Sequence, residues 1–557
     1  MLADELTFLA DLLEPRAYPH PVEQVEAVST HISQLFLAGD FAYKLKRPVS
    51  LGFVDFSTLE RRRFYCEEEL RLNRRLAPQL YLDVVQVVRQ DARLRIDAEG
   101  EGEGETIDYA VRMHRFPQQA LLSKQPLDEA LIDRLAERVA YFHASLMPAP
   151  ADTPYGEPEA VLAPMLDNFE PLRAAIAARD TSHAPATPDA PDEQVARHLQ
   201  RLERWTRKRF ARLRSALEQR QRGGRIRECH GDMHRGNIVV LDGEPVIFDC
   251  IEFNPSLRWI DTMSEVAFLT MDLAESGAHG LARRLLNRYL EVSGDYDGLR
   301  LLRFYQVYRA LVRAKVSAIQ LLQTAPASEQ EGAPADARQS RPEAMQARAQ
   351  ARQEMQHYLA LARSCTGRHR PQLFITHGFS GSGKTRLGHL LREQLPIIQI
   401  RSDIERKRLY GIPEQSRPPA HQDVPLYGHE ATARTYRRLL ALARESMAAG
   451  FSVLVDATFL SRAQRAPFLA LAEALHCPYR ILALQAPMPL LRERINARGS
   501  AGQDASDADL DVLGLQIAQC EPLTEAEHRS AVFLNTAAPM QIEAVLARIT
   551  GHHRPNN

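Results

Sequence analysis

Two stretches of this 557-residue chain carry residue types that can do chemistry. The first runs Cys229-His230-Gly231-Asp232-Met233-His234-Arg235-Gly236-Asn237, an H-x-D-x-x-x-x-N spacing, and Asp249 follows at the end of a second short apolar strand. Between them Ile238 to Phe248 reads as a hairpin that turns at Asp242-Gly243, a dipeptide suited to a tight turn. The hairpin sends the chain back on itself, so the loop and the strand end meet. An acid that can take a hydroxyl proton, beside an amide and a second acid that offer oxygen to a divalent cation, is the set that phosphoryl transfer needs. The second stretch is Gly378-Phe379-Ser380-Gly381-Ser382-Gly383-Lys384-Thr385, a complete G-x-x-x-x-G-K-T. The apolar run Leu373 to Thr376 precedes it and a helical pattern follows, which is the setting the motif requires. Backbone N–H groups from Gly378, Gly381, Ser382 and Gly383 would cradle the phosphates of ATP, with Lys384 on the β- and γ-phosphates and Thr385 on Mg²⁺.

The surrounding pattern supplies elements to hold both stretches. In the N-terminal half, Ser33 to Leu37 and Phe41 to Leu45 alternate as strands joined through Ala38-Gly39-Asp40. Ser57-Thr58-Leu59-Glu60 has the spacing of a capping box and starts a helix that carries Glu67, Glu68 and Glu69 and ends near Ala77-Pro78. Strands are expected at Leu82 to Arg89, Leu94 to Ile96 and Ile107 to Met113, and the pattern turns helical after Pro117, most clearly over Leu127 to Leu146. Pro148 to Asp192 reads as an insertion with one short helix. From Thr324 to Arg341 there is almost no large apolar residue, so this segment is expected as a linker, and Ser340-Arg341-Pro342-Glu343 has the signals of a helix start. The C-terminal half alternates strands at Leu373 to Thr376, Ile397 to Ile400, Val453 to Val455 and Ile481 to Leu484 with helices, as in a parallel α/β sheet. Asp403 and Asp456 follow two of these strands, and acids at the C-terminal ends of adjacent parallel strands point into one crevice.

The first stretch resembles the catalytic core of aminoglycoside phosphotransferase-like kinases, relatives of the protein kinases. The resemblance implies Asp232 as catalytic base, Asn237 and Asp249 as metal ligands, and His230 as a brace for the loop. It also implies Lys44, in Phe41-Ala42-Tyr43-Lys44, as the grip on the α- and β-phosphates, with a glutamate from the next helix as its partner. Glu69 is the choice, because Leu72 and Leu76 share its helix face. Val111 to Phe116 would form the hinge against adenine, and Asp261 would anchor the loop or form a surface ion pair. The sequence departs from the family where Cys250-Ile251-Glu252 follows Asp249, which puts protein-kinase-style switching in question. The second stretch is similar to small P-loop kinases of the gluconate-kinase, zeta-toxin and polynucleotide-kinase type. That likeness implies Asp403 as the acceptor-side base, Arg406 as an acceptor or phosphate contact, and Asp456 as the acid that positions Mg²⁺. Leu490 to Gly499 then reads as a lid helix with Arg494 and Arg498 on one face, toward the transferring phosphoryl group.

Together these readings give a multidomain α/β chain: a bilobal protein-kinase-like fold over 1–323 (lobes about 1–116 and 117–323), a linker over 324–341, a connecting helix over 342–367, and a P-loop parallel sheet with flanking helices over 368–550. The expected activity is an ATP- and Mg²⁺-dependent phosphotransferase with two nucleotide sites and small hydroxylated acceptors. Arg309 and Arg313, at i and i+4 of one helix, would disfavour a polycationic acceptor if their face lines the cleft, and otherwise pair with Glu or Asp of the helical lobe. Two other readings stand beside it: the P-loop domain as a regulatory ATPase that gates the first, and a nucleic-acid end kinase. Lys plus Arg total 70 against 71 Asp plus Glu, so the chain lacks the cationic excess that a nucleic-acid or membrane-surface partner exploits. Six cysteines fall far apart with no C-x-x-C pair, and neither a signal-like segment nor an apolar run of about 18 residues is present. A cytoplasmic protein with no membrane partner is the expectation; the acceptors and the oligomeric state are not legible.

Overall fold

The computed structural model describes residues 10–51, 54–91, 93–97, 104–178, 191–323, 341–367, 369–414, 426, 428–501 and 509–550. The expected linker, apart from Arg341, lies outside them. By packing, the chain divides into one compact unit of Met1–Leu135, Phe142–Val161 and Leu217–Asp272, and a second of Ala136–Tyr141, Leu162–Ala216 and Leu273–Asn557.

The first unit is built on an antiparallel sheet of β1 (Val25–Ser29), β2 (Ser33–Ala38), β3 (Phe41–Lys46), β4 (Tyr81–Gln90), β5 (Arg93–Asp97) and β6 (Glu105–His114), in the order β1-β2-β3-β6-β4-β5. Phe36, Tyr43, Leu45, Val85, Val87 and Ala110 are among the residues of its apolar core. Helix α1 (Leu59–Asn73) follows the expected position but is capped one residue later: the Thr58 hydroxyl accepts from the Arg61 N–H, while Ser57 donates to Asp55. After α2 (Glu129–Ser145), and after α3 (Pro191–Arg222), most of which belongs to the second unit, strand β7 (Ile226–Glu228) leads into the first motif. The predicted hairpin is present as β8 (Ile238–Leu241) and β9 (Glu244–Ile247), with Asp242 and Gly243 both at positive φ, 51° and 80°, as a tight turn of this kind requires. Strand β10 (Trp259–Asp261) returns to pair with β7. The insertion expected to hold one short helix holds two, Pro158–Leu166 and Phe169–Ala177.

Helix α4 (Thr262–Glu275) lies mostly in the first unit; the second contains α5 to α7 (His279–Ser293, Leu299–Gln323 and Arg341–Cys365), followed by a parallel sheet. Its elements include β11 (Leu373–His377), α8 (Lys384–Gln394), β12 (Ile397–Arg401), α9 (Ser402–Leu409), α10 (His429–Ala448), β13 (Ser452–Asp456), β14 (Tyr479–Gln485), α11 (Met488–Ala501), α12 (Leu510–Ala518) and β15 (Ala531–Asn535), with further helices at Arg462–Ala474, Glu525–Ser530 and Ile542–Thr550. The strand order is β12-β13-β11-β14-β15, with every pairing parallel, so β12 and β15 are the edges. The inner strands are continuous apolar runs because helices cover both faces. Phe374, Leu454, Leu482 and Val532 pack with Leu387 and Leu391 of α8.

A buried ion cluster ties α5 to this sheet region. Glu291 accepts from Arg392 Nη1 at 2.9 Å and from Arg288 Nη1 at 3.2 Å, and Arg288 also reaches Glu414 at 2.8 Å. Burial alone would raise the Glu291 carboxyl, but Arg392, Arg401, His389 and Arg288 outweigh it and hold it at about 2. The folded value lies below the ordinary 4.5, so the stabilisation is complete above that pH and is lost as pH falls toward 2. Glu291→Gln should therefore lower stability at pH 7 by roughly 3 kcal/mol. Urea midpoints measured at several pH values should show the gap from wild type narrowing steadily below about pH 5.

Candidate active sites

In the first unit the predicted lysine, glutamate and strand-end acid meet. Lys44 Nζ donates to Glu69 Oε1 at 2.8 Å and to Asp249 Oδ1 at 2.6 Å. Strand alternation puts Lys46 on the same face as Lys44, and Lys46 donates to the other oxygen of Glu69 and to Glu252. The result is a line of alternating charge, Asp249–Lys44–Glu69–Lys46–Glu252. Glu69, Lys46 and Glu252 are almost wholly out of water, whereas the Asp249 side chain is 42% exposed. Burial works against the charge on Lys44, but Asp249 and Glu69 outweigh it and hold the ammonium well above its ordinary range. Burial likewise opposes charge on Glu69, and the two lysines outweigh it to hold the carboxyl down. Burial, joined by the charge of Glu69, pushes the Glu252 carboxyl up against the pull of Lys46 and Lys44.

Asp249 sits at φ 63°, a left-handed conformation costly for a residue with a Cβ. Its N–H donates to the Tyr81 hydroxyl at 3.2 Å, and the next N–H, of Cys250, donates to Asn73 Oδ1 at 2.8 Å. Asn73 in turn donates to the carbonyl of Glu69, so α1 holds both the glutamate and the segment after Asp249. Asn237 spends its Nδ2 on Asp232 O and Oδ2, at 3.0 and 3.1 Å, which leaves Oδ1 as its ligand atom. Asp232, Asn237 and Asp249 thus supply a half-exposed acid and two oxygen donors on one loop and strand end, the set that a base and a bound Mg²⁺ would need.

The loop is braced by more than the sequence indicated. His230 is buried, with Nε2 at 2.8 Å from Phe248 O, so it bridges the loop to the strand that carries Asp249. The expected anchor, Asp261, is occupied by a bidentate pair with Arg220 at 2.6 and 2.7 Å and by the Met263 N–H. The N–H groups of His230 and Gly231 go instead to Glu265 Oε1 at 2.8 and 2.7 Å, and Glu265 Oε2 lies 2.8 Å from His143 Nε2. Gly231 is required here: its φ is 91°, and a Cβ would sit 2.8 Å from Leu257 O. Lys46, Asn73, Tyr81, Glu252 and Glu265 were not predicted. The Lys-x-Lys alternation on a strand was the one local signal for any of them.

In the second unit the G-x-x-x-x-G-K-T turns between β11 and α8 as predicted. Gly378, Gly381 and Gly383 have φ of 152°, 80° and 87°, and a Cβ on the first two would come within 2.8 Å of Leu484 O and 2.9 Å of Leu491 O. Lys384 Nζ donates to Gly378 O and Phe379 O at 3.0 and 2.7 Å, folded over the loop that its motif predicts it will share with phosphates. Ser382 Oγ is buried with no partner among the described residues. Narrow glycine backbone, the lysine and the orphaned hydroxyl fit a phosphate chain. Asp456 ends β13 almost fully buried, and burial pushes its carboxyl up against the pull of Arg401 and Lys384.

A cavity of about 840 Å³ opens from this loop. Lys384, Thr385 and Asp456 line one part of it, together with Asp403, Arg406 and Arg494. Arg406 donates to Leu426 O at 2.6 Å. Arg494 donates to Gly381 O at 3.3 Å and to Thr536 O at 2.6 Å, so it ties the phosphate loop to the residue after β15. Arg498 lies in α11, and its side chain is outside the described residues. Gln516 of α12, unpredicted, exchanges two hydrogen bonds with Ser380, from the Ser380 N–H and to its Oγ, both at 2.9 Å. Arg309 and Arg313, expected to bear on the acceptor of the first site, lie on α6. Arg309 is buried over the Tyr308 ring at 5.3 Å, and Arg313 lies over Tyr358 of α7 at 5.5 Å.

Comparison with known proteins matches residues 57–302 to the phosphotransferase enzyme family and residues 373–523 to the AAA domain. An uncharacterized protein of Mycobacterium tuberculosis (strain ATCC 25618 / H37Rv) is 28% identical over 526 residues, 94% of this chain and 95% of that protein. An uncharacterized protein of Mycobacterium bovis matches with the same identity and coverage. Among solved structures, a choline/ethanolamine kinase family protein from Mesorhizobium loti overlays 65% of this chain and 100% of its own at TM-score 0.31 and 15% identity. A gluconokinase from Sinorhizobium meliloti 1021 overlays 33% of this chain and 93% of its own at TM-score 0.24 and 22% identity.

Lys46→Met removes the shared cation from between two buried acids. It should lower stability by about 3–5 kcal/mol, whereas Lys46→Met combined with Glu252→Gln should recover part of the loss. Thermal melts of the two variants check this; equal melting points would deny the pairing its role.

Proposed function

We propose that this chain, a kinase that joins a phosphotransferase-family domain to a P-loop domain, has two separate sites that each take ATP with Mg²⁺ and phosphorylate the hydroxyl of a small molecule. The observation that carries the reading is that each half brings its own phosphate grip and its own oxygen ligands together. Lys44 pairs with Asp249, and the Asn237 carbonyl takes the N–H of the adjoining Phe248; Lys384 lines a cavity with Thr385 and Asp456. The division proposed for function is 1–323 for the first site and 368–550 for the second.

At the first site Asp232 takes the proton of the acceptor hydroxyl, and Asn237 keeps that carboxylate turned into the cleft. Lys44 binds the phosphates, and Glu69 holds its ammonium in place. Bound ATP with Mg²⁺ supplies the phosphoryl group and the charge that offsets its transfer. At the second site the loop from Gly378 to Gly383 and Lys384 hold the phosphate chain, and Thr385 and Asp456 face the metal position. Asp403 is the base on the acceptor side of the cavity, with Arg406 as a neighbouring cationic contact. Arg494 fixes the loop's shape, and Arg498 follows on the same helix as a contact for the transferring group. The balanced charge of the chain and a cavity of about 840 Å³ favour small acceptors over nucleic acid.

ADP release measured against a panel of hydroxylated metabolites tests this with wild type, Asp232→Ala and Lys384→Ala side by side. Asp232→Ala should reduce turnover of one group of acceptors by about 10²-fold or more and spare the other, and Lys384→Ala should do the reverse. If neither substitution lowers acceptor-dependent turnover, the reading fails. If Lys384→Ala silences both groups while acceptor-independent hydrolysis persists in wild type, the P-loop domain is a regulatory ATPase.

A further inference from the structure

The edge of the parallel sheet is completed by a side chain from the phosphotransferase-family segment. Asn287 of α5 accepts from the Gln399 N–H at 2.8 Å and donates to Ile397 O at 3.1 Å. These are the N–H and C=O that β12, an edge strand, would offer to a further strand, and one amide side chain takes both. Asn287 also donates to Arg283 O at 2.9 Å within its own helix, so its amide is fixed from two directions.

The strand residue held in this way reaches the P-loop site. Gln399 is 1% exposed, and its Nε2 donates to Asp456 Oδ2 at 3.1 Å. Its Oε1 is buried without a partner among the described residues. A half-satisfied amide is a costly choice at a position where leucine would fill similar space. The opposing helix makes room for it: a Cβ on Gly388, in the middle of α8, would lie 2.2 Å from Gln399 Nε2. Glycine there disfavours the helix, so two unfavourable choices coincide on one hydrogen bond to Asp456.

We propose that Gln399 is a positioning residue for the metal-side acid Asp456, and that Asn287 sets it by holding the β12 backbone, so the phosphotransferase-family segment helps to build the P-loop site. This rests on the reading of that site as a binder of nucleotide with Mg²⁺. Nucleotide phosphates are held by the loop and Lys384, whereas Gln399 acts only through Asp456. Loss of Gln399 must therefore weaken the metal's contribution to binding and not the nucleotide's own.

The experiment titrates the full chain with a fluorescent ADP analogue, with Mg²⁺ and with chelator, counting only the signal that Lys384→Ala abolishes. Gln399→Leu, Asn287→Ala and Gly388→Ala should each cut the Mg²⁺ enhancement of affinity by about tenfold and leave metal-free affinity within about twofold. Gly388→Ala should add nothing once Gln399→Leu is present, because its effect runs through that amide. An unchanged Mg²⁺ enhancement in Gln399→Leu would overturn the proposal, as would an equal loss of affinity with and without Mg²⁺, the mark of a merely structural residue. Absence of any Lys384-dependent binding in wild type would overturn this proposal and the reading beneath it together.

Discussion

Everything at the first site depends on one carboxylate shared by two lysines. Glu69 has no water to solvate it, so its charge is tolerable only while Lys44 and Lys46 each hold one of its oxygens. That requirement fixes the register of α1 against β3. It also fixes where Asp249 and Glu252 can lie, because each lysine has a second acid to satisfy. A chain of alternating charges that is dry at all but its Asp249 end has few alternative arrangements, since moving any member strands its neighbours. The segment after Asp249 is pinned through Lys46 and through Asn73, which suits a site held in one state.

The second site is governed by backbone shape more than by charge. Its loop needs glycine wherever the chain passes Leu484 and Leu491, and Arg494 and Gln516 then secure the resulting curve from outside. Both arrangements hold a lysine against oxygen atoms, yet they reach that end by opposite means. One buries acids beside the lysine, and the other bends main-chain carbonyls toward it.

How much of this could be read in advance depended on how local the determinants were. The phosphate loop, the Asp-Gly hairpin and the order of Lys44, Asp232, Asn237 and Asp249 were legible, because each is written in consecutive residues or in strand and helix periods. The first and last strands of the two sheets, Val25–Ser29 and Ala531–Asn535, were not singled out; an edge strand with one exposed side carries a weaker apolar pattern. Arg494 was expected to face the reacting group, and its observed hydrogen bonds go to Gly381 and Thr536. Its spacing on the helix was informative about the face but not about which oxygens wait there. Glu265 and Gln399 left no trace of their roles in sequence, because what they touch is distant along the chain and is decided only by packing.

The amide of Asn287 also bears on how such a chain could come apart in descent. Once a neighbouring segment supplies the two hydrogen bonds that an outer strand lacks, and Glu291 supplies the counter-charge for buried Arg392, recombination between the two coding segments leaves the released piece with an open strand and an unpaired buried cation.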